Sequence, residues 1–295
     1  MKLHGAEIVD TFAEAFPMWG SRVLITAATP AWALEAGRSM TGFATSVIGC
    51  KCEASIEREL APDETPDGRP GVSALLFAMD REGVGKRLVE RVGQCVLTSP
   101  TAACFNGIDA EDTVDVGGQL RFFGDGYQAS KVLDGERYWR VPVMEGEFLV
   151  QERFGVVEGV AGGNIIMLGR TAEAALRAAE AAASAMRSVE GVIMPFPGGI
   201  ARSGSKVGSR YSGLPASTND ALCPTLRAQV DHSDVPPDVE SVFEIVIDGL
   251  ALEPVREAMR RGLVAAAQAG ASHVTAGNYG GNLGPHHIHL RELMP

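Results

Sequence analysis

The sequence predicts an α+β fold arranged in two units. Three observations point to it: apolar, β-branched runs alternate with amphipathic helical patterns, both halves repeat that rhythm, and a segment punctuated by Pro142 and Gly146 separates them near the midpoint.

In the first half, residues 22–26 read as a strand, 31–39 as a helix, 46–50 as a second strand and 72–78 as a third. Residues 83–97 put Val84, Leu88, Val92 and Val96 at helical spacing, with Lys86, Arg87, Glu90 and Arg91 elsewhere, the pattern of a helix lying over a sheet. The strand-like pieces of 136–150 carry the boundary, which divides the chain into 1–144 and 145–295. The second half follows with a strand at 159–168, a helix at 172–188, a strand at 192–195 and a long loop. A strand at 241–247, a helix at 253–268 and strands at 273–276 and 286–290 complete it. Each half can set two helices on one face of a mixed sheet, although alternation alone also suits a doubly wound sheet.

The 295 residues, 45% of them apolar, are ample for a buried core. Acidic residues outnumber basic ones 37 to 26, for a formal charge of −11, and the resulting field repels phosphate backbones and anionic lipid. Neither nucleic acid nor a membrane is expected as a partner. Glu7, Asp10 and Glu14 interrupt any apolar core a signal peptide would need, and the alanine-rich stretch 172–185 carries Glu173, Arg177 and Glu180. Five cysteines, an odd number, fit a reducing compartment, so a cytoplasmic protein with free thiols is expected. Cys50 and Cys52 have neither a second pair nor a nearby histidine to complete a zinc site, and they read as strand cysteines. His287 and His289 share a strand face while His286 points away, so no metal site is expected there.

The 35 glycines cluster at 124–126, 159–163, 198–208 and 277–284, where backbone can turn tightly or approach a ligand. In SVFEIVIDG (241–249), Glu244 shares a strand face with Val242, Val246 and Asp248. On the residues alone it reads as an edge-strand or surface glutamate. LPASTNDA (214–221) packs Ser217, Thr218, Asn219 and Asp220 into one stretch, a capped turn or a polar ligand contact. Lys206 is a solvated lysine or an anion contact. FFGDGY (122–127) is a turn with core aromatics or a wall for a flat ring, and Asn164 and Asn278 follow glycine-rich strand ends, where an amide closes a turn or orients a ligand. There is no G-x-S-x-G elbow, and Ser205-Lys206 is not by itself a catalytic pair.

Several strings carry more than periodicity: DTFAEAF (10–16), RVLITA (22–27), TPDGRPGV (65–72), FFGDGY (122–127), GVAGGN (159–164), PFPGGI (195–200), LPASTNDA (214–221) and AGNYGGNLG (276–284). In this order and spacing, from end to end, the chain resembles the formylmethanofuran:tetrahydromethanopterin formyltransferase family, with departures at 129–135 and 227–237.

The resemblance implies two ferredoxin-like α/β sandwich lobes, a homotetramer, and no metal or prosthetic group. It implies direct formyl transfer between formylmethanofuran, or its methylofuran counterpart, and tetrahydromethanopterin in a ternary complex, as part of one-carbon metabolism. Glu244 is then the acid/base carboxylate. The carrier-binding residues it implies are Phe123, Gly124, Asp125, Tyr127, Asn164, Phe196, Pro197, Gly198, Gly199, Lys206, Ser217, Thr218, Asn219, Asp220 and Asn278. A composition rich in Ala, Arg and Gly suggests a methylotrophic bacterium; for such a source the resemblance implies a part in formaldehyde oxidation, where similar proteins join formyl-carrier hydrolase subunits. The alternative is a non-catalytic, carrier-binding subunit of such a complex. A formate-releasing amidohydrolase is disfavoured by the lack of a metal cluster or nucleophile triad in the sequence.

Overall fold

The computed structural model describes residues 1–295. By internal contacts the chain divides into two compact units, one comprising Met1–Phe16 with Val160–Pro295 and the other Pro17–Gly159. Pro142 and Gly146, which suggest a boundary at 144/145, flank the turn between the paired strands Glu136–Val143 and Gly146–Gln151. Punctuation of this kind marks a hairpin as readily as a linker, because both need a turn.

In the Pro17–Gly159 unit, the strand Phe12–Thr26 contributes its residues from Pro17 onward. Its neighbours are Gly71–Ala78 on one side and Ala103–Asn106 on the other, and Glu53–Leu60 pairs with Gly71–Ala78, every pair antiparallel. Numbered along the chain, the spatial order is 4-1-3-2. With the helices Pro30–Thr41 and Arg81–Arg91 as crossovers, this is the ferredoxin-like βαββαβ arrangement. Val84, Leu88, Ala36 and Met40 pack from the helices onto Val23, Ile25, Val72 and Leu76 of the sheet.

The expected strand at 46–50 is instead a helical turn, Val47–Cys50. The Ser46 hydroxyl accepts from the Ile48 amide at 3.3 Å, Glu53 Oε1 accepts from the Val47 amide at 3.1 Å, and Lys51 in the left-handed region closes the turn. Local caps therefore outweigh the apolar run, and Cys50 and Cys52 lie just before the strand Glu53–Leu60 and not within one.

The second unit repeats the topology. Val157–Gly169, from Val160 onward, lies between His273–Thr275 and Ser241–Gly249, and Val192–Ile193 pairs with the outer side of Ser241–Gly249, again in the order 4-1-3-2. The Ala172–Met186 helix starts at Thr171, whose hydroxyl accepts from the Ala174 amide at 3.1 Å. Ala175, Ala178, Ala179, Ala182 and Ala183 are all buried on it, and the small side chains let the Leu252–Gln268 helix pack closely alongside. Ile165, Met167, Ile245 and Ile247 fill the space beneath. In a minimal ferredoxin-like fold the second and third strands form a hairpin; here 194–240 replaces its turn, and that insertion builds much of the site. No helix is long and apolar enough to cross a membrane.

Candidate active site

Glu244 sits in the middle of Ser241–Gly249. Ile245 and Ile247 point into the helical core, so the opposite face, with Glu244, turns away from it. Its register partner on one side is Ile166. On the other, its amide donates to Ala201 O at 3.0 Å and its carbonyl accepts from the Ala201 amide at 2.8 Å. It is therefore not an edge residue, because the incoming loop supplies the missing neighbour. Its side chain is half-buried, and burial pushes the carboxyl up to about 7.

Two cavities adjoin this carboxylate. One, of about 570 Å³, is lined by residues including Asn164, Lys206, Asn219, Glu244, Asn278 and Tyr279. The other, of about 500 Å³, is lined by residues including Arg202, Ser203, Cys223, Thr225, Phe243 and Glu244. Glu244, Asn219, Ile166 and Leu222 belong to both walls. A third hollow of about 630 Å³ shares Arg202, Ser203 and Phe243 with the second and adds Phe196, Pro197 and Gly198.

Glu244, Lys206, Asn219, Asn164 and Asn278 thus meet around one cavity, although they are spread over more than a hundred residues of sequence. Lys206 Nζ donates to Asp220 Oδ1 at 2.6 Å, and this bond holds the Asp220 carboxyl below its ordinary range. The two asparagines are held by their own unit. Asn164 donates to Gly162 O and Gly277 O, each at 3.1 Å, and accepts from the Gly277 amide at 2.6 Å; Asn278 donates to Thr11 Oγ1 at 3.0 Å. Asn164 does not follow a strand end as expected: it lies mid-strand, beyond a bulge at which Gly162 has a φ of +81°.

Ser217 and Thr218 turn inward on their own loop, the first donating to Gly208 O at 2.7 Å and the second contacting Cys223 Sγ at 3.4 Å. Phe196, Pro197 and Gly198 line the third hollow, with Gly199 next in the same 3-10 turn. Phe123, Gly124, Asp125 and Tyr127 belong to the Pro17–Gly159 unit, at a 3-10 turn closed by Asp125 in the left-handed region. The aromatics there are not core residues: Phe123 is 66% and Tyr127 83% exposed. The rings of His287 and His289 pack against Phe12, with centroids 4.8 and 5.3 Å away.

Sequence reasoning missed Tyr279, although it adjoins Asn278 within a string already singled out. Burial and the negative charges of Glu244 and Glu14 push its phenol up, and its hydroxyl is hydrogen-bonded to Ser205. Arg202 was missed too; nothing local sets it apart, because only the bridge between Ala201 and Glu244 brings it to the cavity wall.

A family model described as formylmethanofuran-tetrahydromethanopterin formyltransferase matches residues 1–143, and a model of the proximal lobe of the same family matches 146–293. The chain belongs to this family. The formylmethanofuran–tetrahydromethanopterin formyltransferase of Methylococcus capsulatus is 58% identical over the full length of both chains. A subunit of the formyltransferase/hydrolase complex of Methylorubrum extorquens is 53% identical, over 99% of this chain and 97% of that one. Among solved structures, the Methanosarcina barkeri formyltransferase superposes with a TM-score of 0.94 at 48% identity, covering 99% of this chain and all of that one. A chain of the Methylorubrum extorquens formyltransferase/hydrolase complex with methylofuran superposes at 0.96 and 51%, covering 99% of this chain and 98% of that one.

Proposed function

We propose that this chain is a formyltransferase that passes a formyl group directly between a methanofuran-type carrier and tetrahydromethanopterin while both are bound. The observation that carries this reading is Glu244, a half-buried carboxylate in mid-strand with a cavity on either side. Two carriers entering from the two cavities meet at that carboxyl. The acceptor's amine nitrogen forms a new C–N bond to the formyl carbon, the C=O π pair moves onto oxygen, and Glu244 takes the proton that the nitrogen sheds. When the tetrahedral species collapses, the C=O re-forms and the old C–N bond breaks. Glu244 then returns its proton to the departing nitrogen, so protons and electrons balance. A carboxyl titrating near 7 serves both halves of this cycle.

Asn219, which faces both cavities, and the Tyr279 hydroxyl are the donors assigned to the developing oxyanion. Lys206, with Asp220, takes an anionic part of a carrier. Asn164 and Asn278 shape the floor, and Phe196, Pro197, Gly198 and Gly199 supply an apolar wall beside Phe243. Ser217 and Thr218 act by holding the loop that presents Asn219. Phe123 and Tyr127, exposed beside Asp125 on a turn whose Gly124 is buried, are ring-packing contacts that a homotetramer would use. No resident metal or prosthetic group enters the scheme. The complex named for the Methylorubrum relative supports hydrolase subunits as partners; the cytoplasm of a methylotroph oxidising formaldehyde is the setting we propose for them.

The test incubates the purified chain with formylmethanofuran and tetrahydromethanopterin and follows formyl-tetrahydromethanopterin. Product from the chain alone, with intersecting double-reciprocal plots, is expected. Formate released without the pterin would make it a hydrolase, and binding without either product a non-catalytic subunit. Parallel plots with label retained on a cysteine would replace direct transfer by a covalent route.

A further inference from the structure

Glu14 lies outside the chemistry described so far. It sits on Phe12–Thr26, is 1% exposed, and has no basic side chain paired with it. An ionised carboxylate hidden from water is costly unless donors replace its hydration. Here every replacement comes from one short stretch of backbone. Oε2 accepts from the Tyr279 amide at 2.7 Å and the Gly281 amide at 3.1 Å, while Oε1 accepts from the Leu283 amide and from the Gly284 amide at 2.9 Å. Burial raises this carboxyl's pKa, but the four amides together outweigh it and hold the group below its ordinary range, as an anion.

The loop is shaped for that anion. Gly280 and Gly281 have φ of +69° and +78°, which lets successive N–H groups converge on a single point. Gly284 lies so close to the strand that a Cβ there would overlap the Ala15 carbonyl. The same strand grips the segment at both ends, the Glu14 amide donating to Gly277 O at 3.4 Å and Glu14 pairing with His287. Between those two grips, the residues that reach the Glu244 cavity are Asn278 and Tyr279.

We propose that Glu14 is a positioning residue of the Glu244 site: its carboxylate gathers the 279–284 loop around itself and so fixes Asn278 and Tyr279 as a wall of the cavity that Glu244 faces. The inference deepens the transferase reading and rests on it for the consequence to turnover, but the link between Glu14 and the loop stands apart from any activity. Gln in place of Glu14 keeps the volume and one acceptor oxygen. It sets an NH2 group against two of the four amides, so half of the nest becomes repulsive.

Backbone hydrogen exchange reads that link directly. In the intact wild-type chain the amides of Tyr279, Gly281, Leu283 and Gly284 are expected to exchange slowly, although they belong to no helix or strand. In Glu14→Gln their exchange is expected to rise at least about tenfold while the helical cores keep wild-type rates. In the same preparation kcat/KM for formyl transfer should fall about tenfold or more. Unchanged loop exchange would overturn the proposal, and so would a freed loop with wild-type kcat/KM. Should Glu14→Gln exchange faster everywhere or fail to fold, Glu14→Asp decides, since it keeps the charge one methylene shorter. Partial recovery of loop protection and activity supports positioning by the carboxylate, and none overturns it. A wild-type chain with a protected loop and no transfer would sink the transferase reading instead.

Discussion

Replacing Glu244 by Gln leaves the shape of the site and removes the titration of this carboxyl, so two independent consequences can be worked out. Raising a carboxyl from its ordinary 4.5 to about 7 corresponds to about 3 kcal/mol at 1.36 kcal/mol per pH unit. Because the pKa is higher in the folded state, the folded chain holds more protons than the unfolded one between those values. Its stability therefore falls as pH rises through that window, and the full penalty is present above about 7. The substituted amide is neutral throughout. The Glu244→Gln variant should thus match wild type below about pH 4.5 and exceed it by up to about 3 kcal/mol at about pH 8. Turnover should move the other way, falling about 10²- to 10⁴-fold with carrier binding retained, because the proton shuttle is gone. Urea denaturation at the two pH values, beside steady-state transfer assays, checks both. Equal stability at the alkaline pH would show that the carboxyl is not held in a desolvated site. Near-normal turnover would remove it from the proton transfer altogether.

Lys206→Met should raise KM for one carrier about tenfold with a smaller change in kcat, and return the Asp220 carboxyl toward its ordinary range; an unchanged KM for both carriers would leave Lys206 as a loop fastener. Gly169→Ala should destabilise the chain by about 1–3 kcal/mol in thermal or chemical unfolding, since its Cβ would fall 2.5 Å from the Ala175 backbone nitrogen, which cannot yield as a side-chain tip can. Together with loss of loop protection in Glu14→Gln, these changes probe the site wall, the helix seat and the loop separately.

How far the sequence reaches is clearest in the strand Ser241–Gly249. Its period of two assigned Glu244 and Ile245 to opposite faces, and the structure agrees, because alternation depends only on local backbone geometry. The amphipathic helices were legible for the same reason: 172–188 and 253–268 correspond to Ala172–Met186 and Leu252–Gln268. At 46–50 the apolar run misled, since side-chain caps from Ser46 and Glu53 stabilise a helical turn that hydrophobicity cannot register.

By itself the sequence determined the α+β class, the main helices and the strand face that carries Glu244, and its collinear strings pointed to the family. All of these depend on local periodicity or on the order of residues along the chain. Only the tertiary structure decided the 4-1-3-2 strand order, the pairing of Ala201 that takes Glu244 off the edge, and the meeting of Asn164, Lys206, Asn219, Asn278 and Tyr279 at one cavity. It also decided the role open to Glu14, whose four partners lie more than 260 residues further along the chain. Contacts between such distant segments depend on which strands pair and how an inserted loop packs, and no local pattern encodes that outcome.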